Sequence, residues 1–241
     1  MSRLLCLVPA ALGLVATSLL AQDPAPVVTK ITADLGFVQA SGNSQVTTTS
    51  FGQKLTQQRG LLGFEQTFNF VYGEQNGEVN TNFLRAGLRA DYKLGSVFSA
   101  FATVAYDRNV FAGIQRRFEE NLGLAWQALG APSDSLRLEA GFSVTQQLAV
   151  GGTANDFPAG RLAAAYRRTF SPTTYFLQMA EVIPNFKEPQ DLRVNTESAV
   201  VAPVSGRMNL KVAYLIRYDN LPEPTFRKTD RVFTTGIQIA F

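Results

Sequence analysis

The residues able to do chemistry in this sequence are charged side chains, because histidine is absent from the 241 residues. Without histidine, the chain lacks the commonest general base and the commonest metal ligand of proteins. Paired carboxylates could still act as a general acid and base. Glu119 and Glu120 are adjacent, however, and neighbouring side chains of a strand point to opposite faces. We therefore expect a protein that is not an enzyme, holds no metal and uses no cofactor.

Charged side chains recur at every second position of several segments, which places them on one face of each predicted strand. In the segment 80–93, for example, Arg85 and Arg89 alternate with apolar residues such as Leu88. The charged residues predicted to share this face are Lys54, Glu65, Arg85, Arg89, Asp91, Arg137, Glu139, Arg161, Arg167, Glu197, Lys211 and Arg217, with Asp34, Lys93, Asp107, Arg117, Glu119 and Asp219 beside them.

The elements that position these charges are about twelve β-strands, because apolar and polar residues alternate with period two along the chain. In the segment 62–72, Leu62, Phe64 and Phe68 belong to an apolar row that is separated by polar or small residues. An Asn-Gly step at Asn76 is the strongest short signal for a hairpin. Turn-forming residues separate the strands throughout, and no segment has a helical pattern.

Loop lengths favour a transmembrane barrel over a soluble sheet. Longer connections at 109–115, 149–157, 184–190 and 220–228 alternate with shorter ones at 130–134, 171–172 and 203–207. Outer-membrane barrels have long external loops and short periplasmic turns. The two earlier external turns, near Ser41 and Glu74, are short, so the rhythm is imperfect. We predict an all-β fold: a single antiparallel transmembrane β-barrel of about twelve strands. The alternative is a soluble periplasmic β-sandwich that binds a ligand.

Aromatic residues near strand ends fit the interfacial girdles of such a barrel. These residues are Tyr72, Tyr92, Tyr106, Trp126, Tyr166, Tyr175 and Tyr218.

Within the barrel, the shared charged face would line the lumen and has two interpretations. It could form a narrow, weakly anion-favouring passive pore. It could instead fill the lumen with paired side chains, Glu65 with Arg85 or Arg89 for example, and the balance of signs favours this filled lumen.

The two termini indicate export to an outer membrane. Residues 1–21 combine Arg3, an apolar run and a small residue at Ala21, which predicts a cleaved signal peptide. Residues 22–30 would be a flexible leader, and residues 31–241 the barrel. The last strand ends with Phe233, Ile237, Ile239 and Phe241 at alternating positions, which looks like the terminal signal read by the barrel assembly machinery. The expected location is the outer membrane of a Gram-negative bacterium.

Composition limits the partners. The formal net charge is +3, and no run of lysine or arginine concentrates it, so nucleic acid is not an expected partner. The single cysteine, Cys6, lies in the predicted signal peptide, which leaves no thiol for a disulfide afterwards. The expected partners are outer-membrane lipid, lipopolysaccharide, periplasmic chaperones and the assembly machinery.

Five short segments also resemble one known family. They are LGFVQASGNS (35–44), YGEQNGE (72–78), YDRNVFAG (106–113), IRYDNLPEP (216–224) and KTD (228–230). These segments are collinear with motifs of the YdiY-like family of salt-induced outer membrane proteins. The resemblance implies an outer-membrane β-barrel of unsettled role and supplies no catalytic or ligand residues. It favours a structural role or a role in the envelope's response to salt stress, with the narrow pore as its rival.

Overall fold

The structure of the protein is a computed structural model that describes residues 27–41, 46–75, 78–223 and 225–240. These residues form twelve strands and one short 3-10 helix, Val110–Ala112. The strands are β1 (Val27–Ser41), β2 (Val46–Arg59), β3 (Leu62–Gln75), β4 (Glu78–Lys93), β5 (Phe98–Asn109), β6 (Ile114–Gly130), β7 (Asp134–Ala149), β8 (Ala154–Thr169), β9 (Tyr175–Pro184), β10 (Leu192–Ser205), β11 (Met208–Asp219) and β12 (Thr229–Ala240).

The strands close into one antiparallel barrel in which each strand pairs with its neighbours in sequence. The last strand closes the sheet on the first, from Thr32 opposite Ala240 to Ser41 opposite Arg231. Closure leaves no sheet edge with unpaired backbone groups, which is the condition for a sheet to survive in lipid. The predicted antiparallel barrel is therefore confirmed. The β-sandwich alternative is wrong, because the strands form a single closed sheet instead of two packed ones.

The two faces of the barrel have opposite polarity. Leu88, Leu122 and Leu162 point outward and are 63%, 66% and 57% exposed. The inward face carries the charged rows, and its buried apolar residues, such as Phe101 and Phe157, lie against the wall formed by β5 to β9. An apolar exterior around a polar interior is the pattern of a transmembrane barrel. Among the described residues, no helix has the length and apolar character needed to span a membrane.

The connections cluster at two ends of the barrel. The loop end holds the described connections 110–113, 150–153, 185–191, 220–223 and 225–228, and the turn end holds 60–61, 94–97, 131–133, 170–174 and 206–207. The alternation of lengths is weaker than predicted, because the loop expected at 149–157 is only 150–153. Residues 154–157 instead extend β8, where Phe157 lies opposite Thr145. Residues 27–30 of the expected leader belong to β1 and pair with β2.

Two glycine pairs let neighbouring backbones approach closely on opposite sides of the barrel. Gly36 lies opposite Gly236 where β1 meets β12, and Gly123 lies opposite Gly141 where β6 meets β7. A Cβ atom on Gly236 would lie 2.2 Å from the carbonyl oxygen of Leu35, and one on Gly123 would lie 2.4 Å from that of Ala140. Only glycine permits such a close backbone approach. A larger residue at either position would force the backbone or its neighbours to shift.

Candidate functional site in the barrel lumen

Six charged side chains join the walls of the lumen near its middle. This mid-lumen cluster consists of Arg89, Asp91, Arg137, Glu139, Arg161 and Glu181. Its hydrogen bonds are short: Arg89 Nη2 donates to Glu139 Oε1 at 2.7 Å, and Arg161 Nε donates to Glu181 Oε2 at 2.6 Å. Because β4, β7, β8 and β9 contribute these residues, the cluster crosslinks strands that are not neighbours in the sheet.

Glu139 is the centre of the mid-lumen cluster. Its carboxylate accepts hydrogen bonds from Arg89, Arg137 and Arg161, and its side chain is 9% exposed. The guanidinium of Arg89 also lies 4.5 Å from the ring centroid of Phe101. Burial of charges is costly, but several charge-assisted hydrogen bonds per carboxylate offset that cost. We infer that this cluster stiffens and partly fills the lumen.

A second group of charges lies closer to the loop end. This mouth cluster consists of Arg85, Asp107, Arg117, Glu119, Asp191, Arg193, Arg217 and Asp219. Its ion pairs are long: Asp107 Oδ2 lies 3.7 Å from Arg85 Nη1 and 3.9 Å from Arg117 Nη1. A direct hydrogen bond joins Arg85 Nη2 to Glu119 Oε2 at 3.2 Å. Most charges of this cluster attract each other without direct hydrogen bonds.

Several buried polar atoms of the mouth cluster have no hydrogen-bond partner in the protein. They are both carboxylate oxygens of Asp107, Oδ1 of Asp191, and Nε and Nη1 of Arg193. The side chains of Asp107 and Arg193 are 1% and 8% exposed. Both residues line a cavity of about 90 Å³. Because an unsatisfied buried polar group is costly, water or a solute in this cavity must supply the missing partners.

The loop between β11 and β12 covers this cavity at the loop end. Leu221 and Glu223 line the cavity, and Glu223 Oε1 accepts a hydrogen bond from Gln147 Nε2 at 3.0 Å. The oxygen of the same Gln147 amide accepts from Arg117 Nε at 2.9 Å. The ring of Phe226 packs closely on Gly113: a Cβ atom added to Gly113 would lie 2.9 Å from the Phe226 ring. The loop is thus attached to the mouth cluster through Gln147.

Among the described side chains, the opposite wall, formed by β1 to β3 and β11, is more open. Lys54 Nζ lies 2.8 Å from Glu65 Oε2, yet the Lys54 side chain remains 51% exposed. Lys211 Nζ lies 3.3 Å from Asp34 Oδ2 and 4.0 Å from Glu197 Oε1. Glycines take lumen positions here, including Gly36 and Gly52 of β1 and β2, so side chains fill less of the space.

The structure brings most of the predicted charged residues together, but not always with the expected partner. Glu65 contacts Lys54, so the suggested pairing with Arg85 or Arg89 is wrong. Those two arginines instead reach past the neighbouring strand β5, to Glu119 on β6 and Glu139 on β7, respectively. Two predicted arginines stack on aromatic rings: Arg167 on Tyr175 at 3.9 Å, and Arg217 on Phe83 at 4.6 Å.

Tyr175 does not belong to the outer girdle. Its ring contacts Arg167, and its hydroxyl donates to Gln238 Oε1 at 3.3 Å. Gln238 also donates to Asp34 on the lumen side of the barrel. Tyr175 and Glu181 lie on the same face of β9, so predicting an outward Tyr175 also predicts an outward Glu181. The predicted lumen residues therefore omit Glu181. Arg193 is missing because the predicted strand begins one residue later, at Val194; extending its alternation by one residue would have found it.

The structure describes only part of the predicted assembly signal, which stays a prediction. Phe233, Ile237 and Ile239 lie on β12, while Phe241 and the predicted signal peptide, 1–21, fall outside the described residues. Phe233 is 40% exposed on the outer face. Within the described ranges, no three acidic side chains converge in a way that could hold a metal ion.

Solved structures with a similar fold include a porin, an outer membrane channel and the translocator domain of an autotransporter. The NanC porin matches with a TM-score of 0.58 and 10% identity, over 86% of this chain and 98% of that chain. The COG4313 outer membrane channel from Pseudomonas putida F1 matches with a TM-score of 0.53 and 11% identity, over 91% of this chain and 97% of that chain. The translocator domain of autotransporter NalP from Neisseria meningitidis matches with a TM-score of 0.50 and 10% identity, over 92% of this chain and 90% of that chain. At these identities the likeness concerns the fold alone.

Sequence comparison gives a family without a known activity. The uncharacterized protein YdiY of Escherichia coli (strain K12) is 23% identical over 203 residues, which cover 84% of this chain and 79% of that relative. The protein is thus an outer-membrane-type β-barrel with a YdiY-like sequence, as the collinear segments predict. A family model described as "Protein of unknown function, DUF481" matches residues 33–241, and the chain belongs to that family.

Proposed function

We propose that the protein lies in the outer membrane of a Gram-negative bacterium and acts as a narrow passive channel for small hydrophilic solutes. Its closed sheet and apolar exterior suit lipid, and the similar folds of a porin and an outer membrane channel support the assignment. We propose no enzymatic reaction. The signal peptide, the assembly machinery and the lipopolysaccharide contact belong to this proposal as the expected route and surroundings of the barrel.

The observation that carries the channel is the difference in accessibility between the two lumen walls. Lys54 faces the lumen and is 51% exposed, whereas Phe101 on the opposite wall is 2% exposed. Water therefore reaches the lumen along β1 to β3, where small residues leave space. The paired charges of the other wall restrict this passage to small solutes.

The open wall favours weak ion selectivity. Lys54 and Lys211 face Asp34, Glu65 and Glu197 there, and each lysine has a carboxylate within 4.0 Å. Mixed signs at close range largely cancel the field that would select an ion. Lys54 is the most exposed charge in these pairs, so we expect it to influence permeation more than the buried arginines do.

Single-channel conductance in a planar bilayer tests the channel. We expect small, discrete current steps, and we expect Lys54→Glu to shift the reversal potential toward cations in a salt gradient. Arg207→Glu is the matched control, because it makes the same charge change on an exposed turn outside the lumen. A barrel whose heat-modifiable migration shows it to be folded, but which carries no current, would contradict the proposal.

A structural role in the envelope is the second candidate, and the mid-lumen cluster favours it. Short ion pairs across β4, β7, β8 and β9 stiffen the barrel and could close it entirely. In that case, deletion of the gene should increase envelope leakage to detergents, particularly under salt stress. The Lys54→Glu variant should restore the barrier as well as the native chain does, because a closed lumen would not depend on this charge.

A further inference from the structure

The strongest unexplained feature is the cavity beneath the loop between β11 and β12. It contains buried groups of both signs without hydrogen-bond partners, Asp107 and Arg193. Both side chains are more than nine-tenths buried, yet part of the lining is accessible: the Arg85 side chain is 32% exposed and that of Asp219 is 28% exposed. A small solute can therefore approach from the lumen and meet groups that the protein itself leaves unsatisfied.

The charges of the mouth cluster determine which solute fits. Four arginines, including Arg117 and Arg217, interact with Glu119, and the cluster as a whole contains four carboxylates. Glu223, Arg227, Lys228 and Asp230 add further charges of both signs to the cavity lining. A ligand that carries one positive and one negative group can therefore pair with groups of both signs.

Hydrogen bonding leads to the same ligand class. The oxygens of Asp107 accept no hydrogen bond in the protein, and an ammonium group would supply a donor. Arg193 Nε lies 3.4 Å from Asp191 and 3.5 Å from Asp219 without a hydrogen bond, and Nη1 also lacks one, so a carboxylate would supply an acceptor. Arg117 and Arg193 also repel each other electrostatically, and a carboxylate close to both would relieve this repulsion. We propose that the mouth cluster binds a small zwitterion that carries an ammonium and a carboxylate group.

The cavity, of about 90 Å³, favours the smallest members of this class. Glycine is the simplest probe with both charged groups. The inference rests on the proposed channel and specifies the solute class that would pause in it. Binding at equilibrium does not require conduction, so the two proposals can fail separately.

Equilibrium dialysis of radiolabelled glycine against the refolded protein in detergent is the test. We expect saturable binding of glycine. Acetate and methylammonium should compete much more weakly, because acetate can pair only with Arg193 and methylammonium only with Asp107. Asp107→Asn and Arg193→Gln should each weaken glycine binding by about tenfold or more, since each removes a charged partner. The controls Asp134→Asn and Arg168→Gln make the same charge changes at the turn end and should bind glycine normally.

Two results would overturn the zwitterion site. A folded barrel without saturable glycine binding would mean that the cavity holds only water. Acetate that competes as well as glycine, together with unchanged glycine binding by Asp107→Asn, would mean a simple anion site. Each variant is first checked for heat-modifiable migration, so that loss of binding is assigned only to folded protein. Glycine binding by a barrel that carries no current would refute the channel and retain the site.

Discussion

The mid-lumen cluster and the mouth cluster use the same residue types in the same barrel but differ in the length of their contacts. Around Glu139, arginine nitrogens lie 2.7 to 2.9 Å from the carboxylate in the closest contacts. Around Asp107, they lie at 3.7 and 3.9 Å. Short contacts satisfy charges within the protein, whereas long contacts leave them to a solute or water. Contact length, more than composition, separates a structural cluster from a candidate binding site.

The largest effect should follow from Glu139→Gln in the mid-lumen cluster. The amide removes the negative charge that three buried arginines share, and breaking such a set costs about 3–5 kcal/mol of unfolding free energy. Urea unfolding of the refolded barrel measures this change. Glu197→Gln is the control, because its contact with Lys211 is long, at 4.0 Å, and its side chain is 29% exposed. Equal midpoints for the two variants would contradict the structural role of the cluster.

The second-largest loss of stability should come from filling the close contact at Gly123, beside the mid-lumen cluster. In Gly123→Ala, the new methyl would lie 2.4 Å from the carbonyl oxygen of Ala140 and 2.8 Å from the ring of Phe101, on which Arg89 stacks. Overpacking of this kind costs about 1–3 kcal/mol, measured by the same unfolding experiment. Gly95→Ala is the control, since no atom lies within 4 Å of its Cβ position. A stable Gly123→Ala barrel would show that the sheet can relax there.

Asp107→Asn sharpens the comparison, because it is the same chemical change as Glu139→Gln in the mouth cluster. Asp107 makes no hydrogen bond in the protein, and its nearest arginine nitrogens lie 3.7 and 3.9 Å away, so we expect a smaller loss of stability than at Glu139, because the amide gives up no direct hydrogen bond. The two variants are compared in parallel urea titrations. A loss at Asp107 as large as that at Glu139 would mean that contact length does not separate the clusters.

The sequence predicts the barrel well, because lipid on one side and a polar lumen on the other impose period-two alternation on nearly every strand. β9 is the exception: its lumen face carries Leu177 and Ile183, and Ile183 packs with Phe157 and Ala159 in a buried apolar group. An apolar core inside the lumen reverses the usual polarity of that strand. This reversal explains the wrong placement of Tyr175 and the missing Glu181.

The partners within the lumen are harder to predict than its residues. Alternation assigns Arg89 and Glu139 to one face, but their contact joins β4 to β7. It depends on how the strands between them are arranged, which a single strand does not encode. Glu65 pairs with Lys54 on the neighbouring strand β2 instead of with an arginine of β4, whereas Arg89 reaches past β5 and β6 to Glu139 on β7. The pattern of each strand alone does not distinguish these outcomes.

The smallest effect concerns the loop that covers the mouth cluster. Glu223→Ala removes one hydrogen bond, that from Gln147, and should cost about 1 kcal/mol locally. Thr225 has a φ angle of 77°, a conformation that is unfavourable for threonine, so the loop depends on such contacts to stay in place. We expect faster limited proteolysis between β11 and β12 with an unchanged unfolding midpoint. Glu188→Ala in the loop between β9 and β10 is the control and should leave this cleavage rate unchanged. Equal rates for both variants and the native chain would show that the loop's other contacts, such as Phe226 with Gly113 and Asn220 with Gln190, hold it in place without Glu223.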